Sequence, residues 1–400
     1  MSSSWRFFSM IRDMSLFRNK ELNHFYLSVA IMSFGEALIN IFVPIYLYKL
    51  GYPVYAIIFF YFLVSLSFVI FSYWGAEIVS RIGIKHAILW STPFLVLYYL
   101  GLKLLGEQPW LFFVLPVLVS WRAILYNYGY HLNFITHSDK KNRGTAISFI
   151  GILSVAALVL APLIGGLIAY HSFALLYLIG SCILILGILP LFFTKDSYEK
   201  LSFTAGGMFR EIFSRKNRGM LISFSGYAIE SIIGRVIWPI FLIIVLITLQ
   251  KTGLIVTLST IFSVITFYII GKISDKYDRV KLLRIGTLFY TLGWIARIFA
   301  NSSLKIFVVD SYKNIAEKIL HVPWQAHSYD LFVKKGFLQF FSIQKRYFHF
   351  IVAREVIFNL ARIIVMPLLM LIFFIGPSPF ILSFIIASLF SLGYVFLNKS

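Results

Sequence analysis

The sequence predicts an all-α membrane protein whose twelve transmembrane helices form two pseudo-symmetric bundles of six. Three observations carry that expectation. Of the 400 residues, 60% are hydrophobic and 13% charged, with a mean hydropathy of +0.86, a composition far outside that of soluble globular domains. Basic residues gather in alternate connections between long apolar stretches. Features in corresponding stretches also recur 195 residues apart: Pro44 in FVPIYL returns as Pro239 in IWPIFL, Ala76 at the head of a basic turn as Gly271, and Arg122 as Glu317. A period of half the chain marks a duplicated helical bundle.

The formal net charge is +20, from 36 Lys and Arg against 16 Asp and Glu. Because those bases cluster at the ends of apolar stretches, they read as setting topology, and no nucleic-acid partner is expected. Cys182 is the single cysteine and lies in an apolar run, which excludes an intramolecular disulfide and a Cys-based metal cluster. Neither a metal nor a cofactor is expected. Residues 1–22 lack a continuous apolar core and a small-residue cleavage site. They read as a basic amphipathic segment on the cytoplasmic membrane face, with Trp5, Phe8 and Ile11 as its apolar side.

In chain order the apolar stretches place spans at about 23–49, 53–80, 84–104, 109–136, 144–170 and 173–193 in the first half. The second half supplies about 219–249, 253–274, 280–300, 303–331, 346–375 and 378–397. Several exceed the roughly 20 residues that cross the hydrocarbon, so tilt or protrusion is expected. Bases crowd the connections at Arg81 and Lys85, Lys140 to Arg143, Lys195 to Arg218, Lys272 to Lys281, and Lys334 to Arg346. The opposite loops hold only Lys49, Lys103 with Glu107, Lys251 and Lys305. By the positive-inside rule both termini are cytoplasmic, in the cell (inner or plasma) membrane.

The longest connection, 194–218, separates a bundle at 23–193 from one at 219–397, and residues 398–400 form a tail. Within it Met208, Phe209, Ile212 and Phe213 alternate with Arg210, Arg215 and Lys216, the pattern of a short surface-lying helix.

Two short motifs sharpen the picture. After span 8 the chain reads Gly271-Lys-Ile-Ser-Asp275-Lys276-Tyr-Asp278-Arg279, and after span 2 it reads Ala76-Glu-Ile-Val-Ser80-Arg81-Ile-Gly83-Ile-Lys85. These resemble the G-x-L-a-D-R-x-G-R-K signature of the major facilitator superfamily, which follows spans 2 and 8 of its two six-helix bundles. The second copy keeps the Gly, the Asp and the bases; the first has Ser80 in the Asp position. The resemblance implies a cytoplasmic gating latch, in which a carboxylate held by bases and a helix N-terminus locks one conformation and releases in the other. Span 5 carries Ala161-Pro162-Leu-Ile-Gly165-Gly166. It is similar to the G-P-x-x-G-G element of facilitator exporters, especially drug–proton antiporters. Its small residues allow close helix approach and its Pro bends the span.

In that superfamily spans 1, 4, 7 and 10 line the central cavity, and here they hold most of the mid-span ionisable groups. Span 1 has Ser33, Glu36 and Asn40 on one stripe; span 4 has Arg122, Tyr126 and Asn133; span 7 has Tyr227 and Glu230, with Arg235 turned away from Glu230. Span 10 carries Asp310, Lys313, Glu317 and His321 at spacings of three, four and four. Span 11 adds Glu355, Asn359 and Arg362, with Arg354 alongside. His131 and His327 lie near the cytoplasmic ends of spans 4 and 10. A lone charge at the bilayer centre costs at least about 2.5–3.5 kcal/mol, so each needs a partner or water. Two clusters are predicted: Glu36 with Arg122 in the first bundle, and Glu230 with Lys313, or with Lys318, in the second.

No phosphate-binding Gly loop, no H-E-x-x-H and no soluble domain able to house an ATPase appear, which excludes the common enzymatic readings. The expectation is a monomeric secondary transporter that moves a small organic solute by alternating access, coupled to protons. The span-5 element and the glutamates point to export of an amphiphilic or cationic compound. The same scaffold serves uptake of a sugar, peptide or organic anion, which Arg122 with Lys313 would suit. A lipid flippase or a non-transporting scaffold is the alternative of another class.

Overall fold

A computed structural model describes residues 20–137, 159–194, 213–274, 279–334 and 343–399. Among these the chain is helical, with no strand. The helices are α1 (Lys20–Asn40, continued as Phe42–Lys49), α2 (Val54–Ile82), α3 (Ile84–Leu104), α4 (Leu111–His137), α5 (Val159–His171) and α6 (Phe173–Ile188). The second half gives α7 (Arg218–Ile232, a π turn at Ile233–Ile237, then Trp238–Leu246), α8 (Leu249–Ser274) and α9 (Arg279–Ala296). It ends with α10 (Ser303–Lys334), α11 (Ile343–Ile375) and α12 (Pro379–Ser391, with a 3-10 tail over Leu392–Lys399). Twelve membrane helices are the expected number. Nine segments, counting the described residues, are long and apolar enough to cross a bilayer unaided; α5, α8 and α10 are the helices outside that set. For α10 the reason is its ionisable stripe, whose charges are met inside the protein.

The repeated prolines act alike. A proline in a helix has no N–H for the carbonyl four residues back, so the helix must break or widen one turn earlier. Pro44 removes the partner of Asn40, and α1 breaks at Ile41. Pro239 removes the partner of Arg235, and α7 widens into the π turn around it.

Each bundle packs by the same scheme. In the first, α3 and α2 both lie on α4, while α6 lies on α1 and α3. In the second, α9 and α8 lie on α10, while α12 lies on α7 and α9. Every pairing has its counterpart six helices later, so the duplication read from the sequence is a duplication of packing. Buried aromatics fill both interiors, Tyr99, Tyr128 and Tyr177 in the first and Tyr290, Trp294 and Tyr394 in the second. Large apolar side chains such as Leu97, Phe113, Leu186 and Leu288 stay exposed. That surface suits a bilayer, where burial against lipid tails replaces burial in protein.

The bundles meet along two helix pairs that are also counterparts, α2 with α11 and α5 with α8. At the second, backbone touches backbone. A Cβ on Gly166 would stand 2.6 Å from the Leu249 carbonyl oxygen, and one on Gly253 only 2.3 Å from that of Pro162. Gly165 makes the equivalent approach within the first bundle, where a Cβ would lie 2.2 Å from the Leu38 oxygen of α1. The Leu163 N–H donates across the α5–α8 seam to Thr257 Oγ1 at 3.1 Å. The outer halves of α1 and α7 also touch. Together these contacts close the interface at the end that holds the α5–α6 and α7–α8 turns. A cavity of about 350 Å³ lies among those turns, lined by Lys49, His171 and Leu249, away from the mid-span charges.

Candidate functional site

Glu36 on α1 and Arg122 on α4 form an ion pair through Oε1 and Nη2, with side-chain exposures of 20% and 11%. The Arg122 guanidinium also lies over the Tyr126 ring, 4.2 Å from its centroid, and Tyr126 stacks on Tyr130. Asn40, at the break in α1, is exposed. Five residues beyond Arg122, Asn127 Nδ2 donates to Glu355 Oε2 of α11 at 3.2 Å. The polar face of α4 therefore borders the interface between the bundles. Nothing in the span-4 hydropathy pattern singles out Asn127; its partner on another bundle does.

The second bundle arranges its charges differently from the expected Glu230–Lys313 pair. Glu230 is 2% exposed and accepts hydrogen bonds from two phenols, Tyr290 Oη at 2.7 Å and Tyr394 Oη at 2.8 Å. Lys313 donates to Glu317 Oε2 at 3.3 Å and lies over the Tyr290 ring, while Lys318 donates to Glu317 Oε1 at 3.0 Å. Two lysines on one helix satisfy Glu317 locally, which leaves Glu230 to the tyrosines of α9 and α12. His321 Nε2 meets Tyr394 Oη at 2.8 Å, and its Nδ1 stands 3.8 Å from Glu317. A chain of polar contacts thus runs from the sealed Glu230 through Tyr394 and His321 to the part-exposed Glu317. Tyr227 and Trp324 stack beside it, and Trp324 Nε1 donates to Ser223 Oγ.

Asp310 leaves the predicted stripe of span 10. It pairs with Arg297 at the end of α9, at 2.6 Å, and both side chains are almost fully buried. Arg297 lies between two indoles, 3.8 Å from the Trp238 centroid and 4.6 Å from that of Trp294. Its Nε and Nη1 have no hydrogen-bond partner, so the ring faces take that part of the charge. Arg297→Ala is expected to destabilise the protein by about 3–5 kcal/mol, because Asp310 is left buried and alone. Replacing both by apolar residues, Arg297→Met with Asp310→Leu, should recover most of the loss in thermal unfolding of the purified protein.

On α11, Arg354 donates to Glu355 Oε1 at 2.8 Å, and Asn359 Nδ2 donates to the Glu355 main-chain oxygen at 2.9 Å. Arg362 reaches Asn359 Oδ1 and, on α7, Ser231 Oγ, each at 3.4 Å. Every carboxylate brought to mid-span is therefore engaged by the chain itself. That undercuts the expectation that Glu36, Glu230 and Glu317 stand open to a cation.

Of the first latch copy, Ser80 Oγ donates to the Glu77 main-chain oxygen and Arg81 pairs with Glu77. Gly83, at φ 87°, makes the sharp turn between α2 and α3, a conformation costly for any side chain. Lys85 donates to the Thr194 carbonyl at 2.6 Å, placing its charge at the C-terminal end of the sixth span, where the helix dipole favours a cation. In the second copy Gly271 lies in α8 and Arg279 opens α9, while Asp275 and Lys276 lie outside the described residues. The predicted helices at the N-terminus and in the central connection also fall largely outside them, apart from a short 3-10 turn at Arg215–Asn217. Among the described residues no group of His, Cys, Asp or Glu could hold a metal ion.

Comparison with known proteins places this architecture. The family model described as Major Facilitator Superfamily matches residues 132–308. No curated protein sequence matches the chain. Among solved structures the fold is similar to a D-xylose-proton symporter, with a TM-score of 0.66 over 92% of this chain and 95% of that one at 14% identity. It is also similar to the nucleoside transporter NupG, with a TM-score of 0.64 over 96% and 100% of the two chains at 13% identity. At those identities the likeness speaks for the fold, and the family model supplies the sequence link. With twelve helices in two matched bundles, the chain has the fold of these transporters and is similar in sequence to the Major Facilitator Superfamily over residues 132–308.

Proposed function

We propose that the protein is a proton-coupled secondary transporter that carries a small organic solute by rocking its two bundles about a central site, with both termini cytoplasmic. The observation that carries this reading is the Glu36–Arg122 pair. It joins two helices near the interface, at a depth where an ionised group must keep a partner. Movement of Arg122 away from Glu36 favours protonation of the carboxylate, and its return expels the proton. The Glu230–Tyr394–His321 chain offers a second place for a proton in the other bundle. The exporter-like element of α5 favours exchange of solute against protons.

The test is reconstitution in proteoliposomes with a pH-sensitive dye inside. A transported solute should move protons in the opposite direction in the wild type. In Glu36→Gln solute exchange should continue without proton movement. Unchanged proton coupling in Glu36→Gln would remove that residue from the mechanism, and proton movement in the same direction as the solute would replace exchange by symport.

A further inference from the structure

Two arginines at mid-membrane depth stand apart from the paired charges. Arg362 lies near the centre of α11; its contacts are the two long hydrogen bonds to Asn359 and Ser231, and its buried Nε has no partner. Arg235 sits in the π turn of α7 and is exposed, with no hydrogen bond or ion pair among the described residues. No carboxylate forms an ion pair with either guanidinium among those residues. Glu355 is held by Arg354 and Asn127, and Glu230 by Tyr290 and Tyr394.

The two converge on one place. Arg362 touches Ser231, and Ser231 precedes Arg235 by about one turn of α7. The π turn that carries Arg235 also packs against α2, in the opposite bundle. Arg235 therefore stands on a turn at the interface between the bundles. Two guanidinium groups brought close together at this depth with no carboxylate in an ion pair are costly unless an anion completes them, and a guanidinium fork matches carboxylate and phosphate oxygens in pairs.

We propose that Arg235 and Arg362 form the binding site for an organic anion, whose carboxylate or phosphate group supplies the counter-charge that the chain lacks. The inference rests on the carrier reading above and names its substrate class. It replaces the cationic solute suggested by the glutamates, all of which are occupied.

Thermal unfolding of the full chain in nanodiscs of neutral lipid tests it without any proton gradient, so a failure here is separable from a failure of proton coupling. Inorganic phosphate and malonate should raise the midpoint by about 2 °C or more relative to chloride at matched ionic strength, and choline should not. Arg235→Gln and Arg362→Gln should each abolish the shift, whereas Lys305→Gln, at an exposed helix end, should retain it. Arg235→Lys and Arg362→Lys keep the charge while losing the fork, and should show a reduced shift. A shift equal for choline, a shift surviving in both Gln variants, or no shift with either anion would overturn the proposal.

Discussion

Arg122→Ala should abolish solute-coupled proton movement and lower stability by about 3–5 kcal/mol, the cost of leaving one member of a buried pair without the other. Glu36 has Arg122 as its ion-pair partner, and the guanidinium also covers the Tyr126 ring, so the substitution removes charge and packing together. The two losses separate in a double variant. Arg122→Gln with Glu36→Gln eliminates the uncompensated charge and should regain most of the stability, measured as the thermal midpoint in detergent. Proton coupling should stay absent, because no titrating group remains at that position. Coupling that survived in the double variant would assign the proton to the second bundle, to Glu230 or Glu317.

Gly253→Val should hold the carrier open at the α5–α8 end. The added Cβ would stand 2.3 Å from the Pro162 oxygen and 3.1 Å from its carbon, both of them backbone atoms that cannot swing aside. Overpacking of this kind costs about 1–3 kcal/mol, which lowers the population of the closed state by roughly 5- to 150-fold. A cysteine placed at Thr257, 4% exposed in the closed seam, reports it in a background where Cys182 is replaced by Ser. Its reaction with a membrane-impermeant maleimide should accelerate by that factor in the Gly253→Val protein, while transport falls correspondingly. Equal reactivity in both proteins would mean that the seam does not open during the cycle.

The fold was largely legible because its determinants are local. Pro44 and Pro239 each dictate a backbone fault one turn back whatever surrounds them, and hydropathy with loop charge counts out the spans. Pairing was legible only in part. Glu36 and Arg122 are the single mid-span charges of spans 1 and 4, so the cost of isolation points each to the other. Glu230 had more than one candidate. Its actual donors, Tyr290 and Tyr394, lie on α9 and α12, and in an apolar run a tyrosine reads as one more hydrophobic residue. Arg297 sits at the end of an apolar stretch, where a base ordinarily reaches for the headgroups; only the packed structure shows it turned inward onto Trp238 and Asp310. Arg235 and Arg362 belong to spans that are not neighbours in sequence, and their convergence depends on helix rotation, which periodicity leaves undetermined.

If two rigid bundles rock about a site between them, the distance between the bundles must change during the cycle. Spin labels at Glu107, on the α3–α4 loop, and Lys305, at the start of α10, occupy exposed positions on different bundles at the same end of the molecule. In proteoliposomes two distance populations are expected, the shorter corresponding to the closed α5–α8 seam, with their ratio shifting with pH in the wild type and insensitive to pH in Glu36→Gln. A single distance, unchanged by pH in both proteins, would contradict the rocking of the bundles.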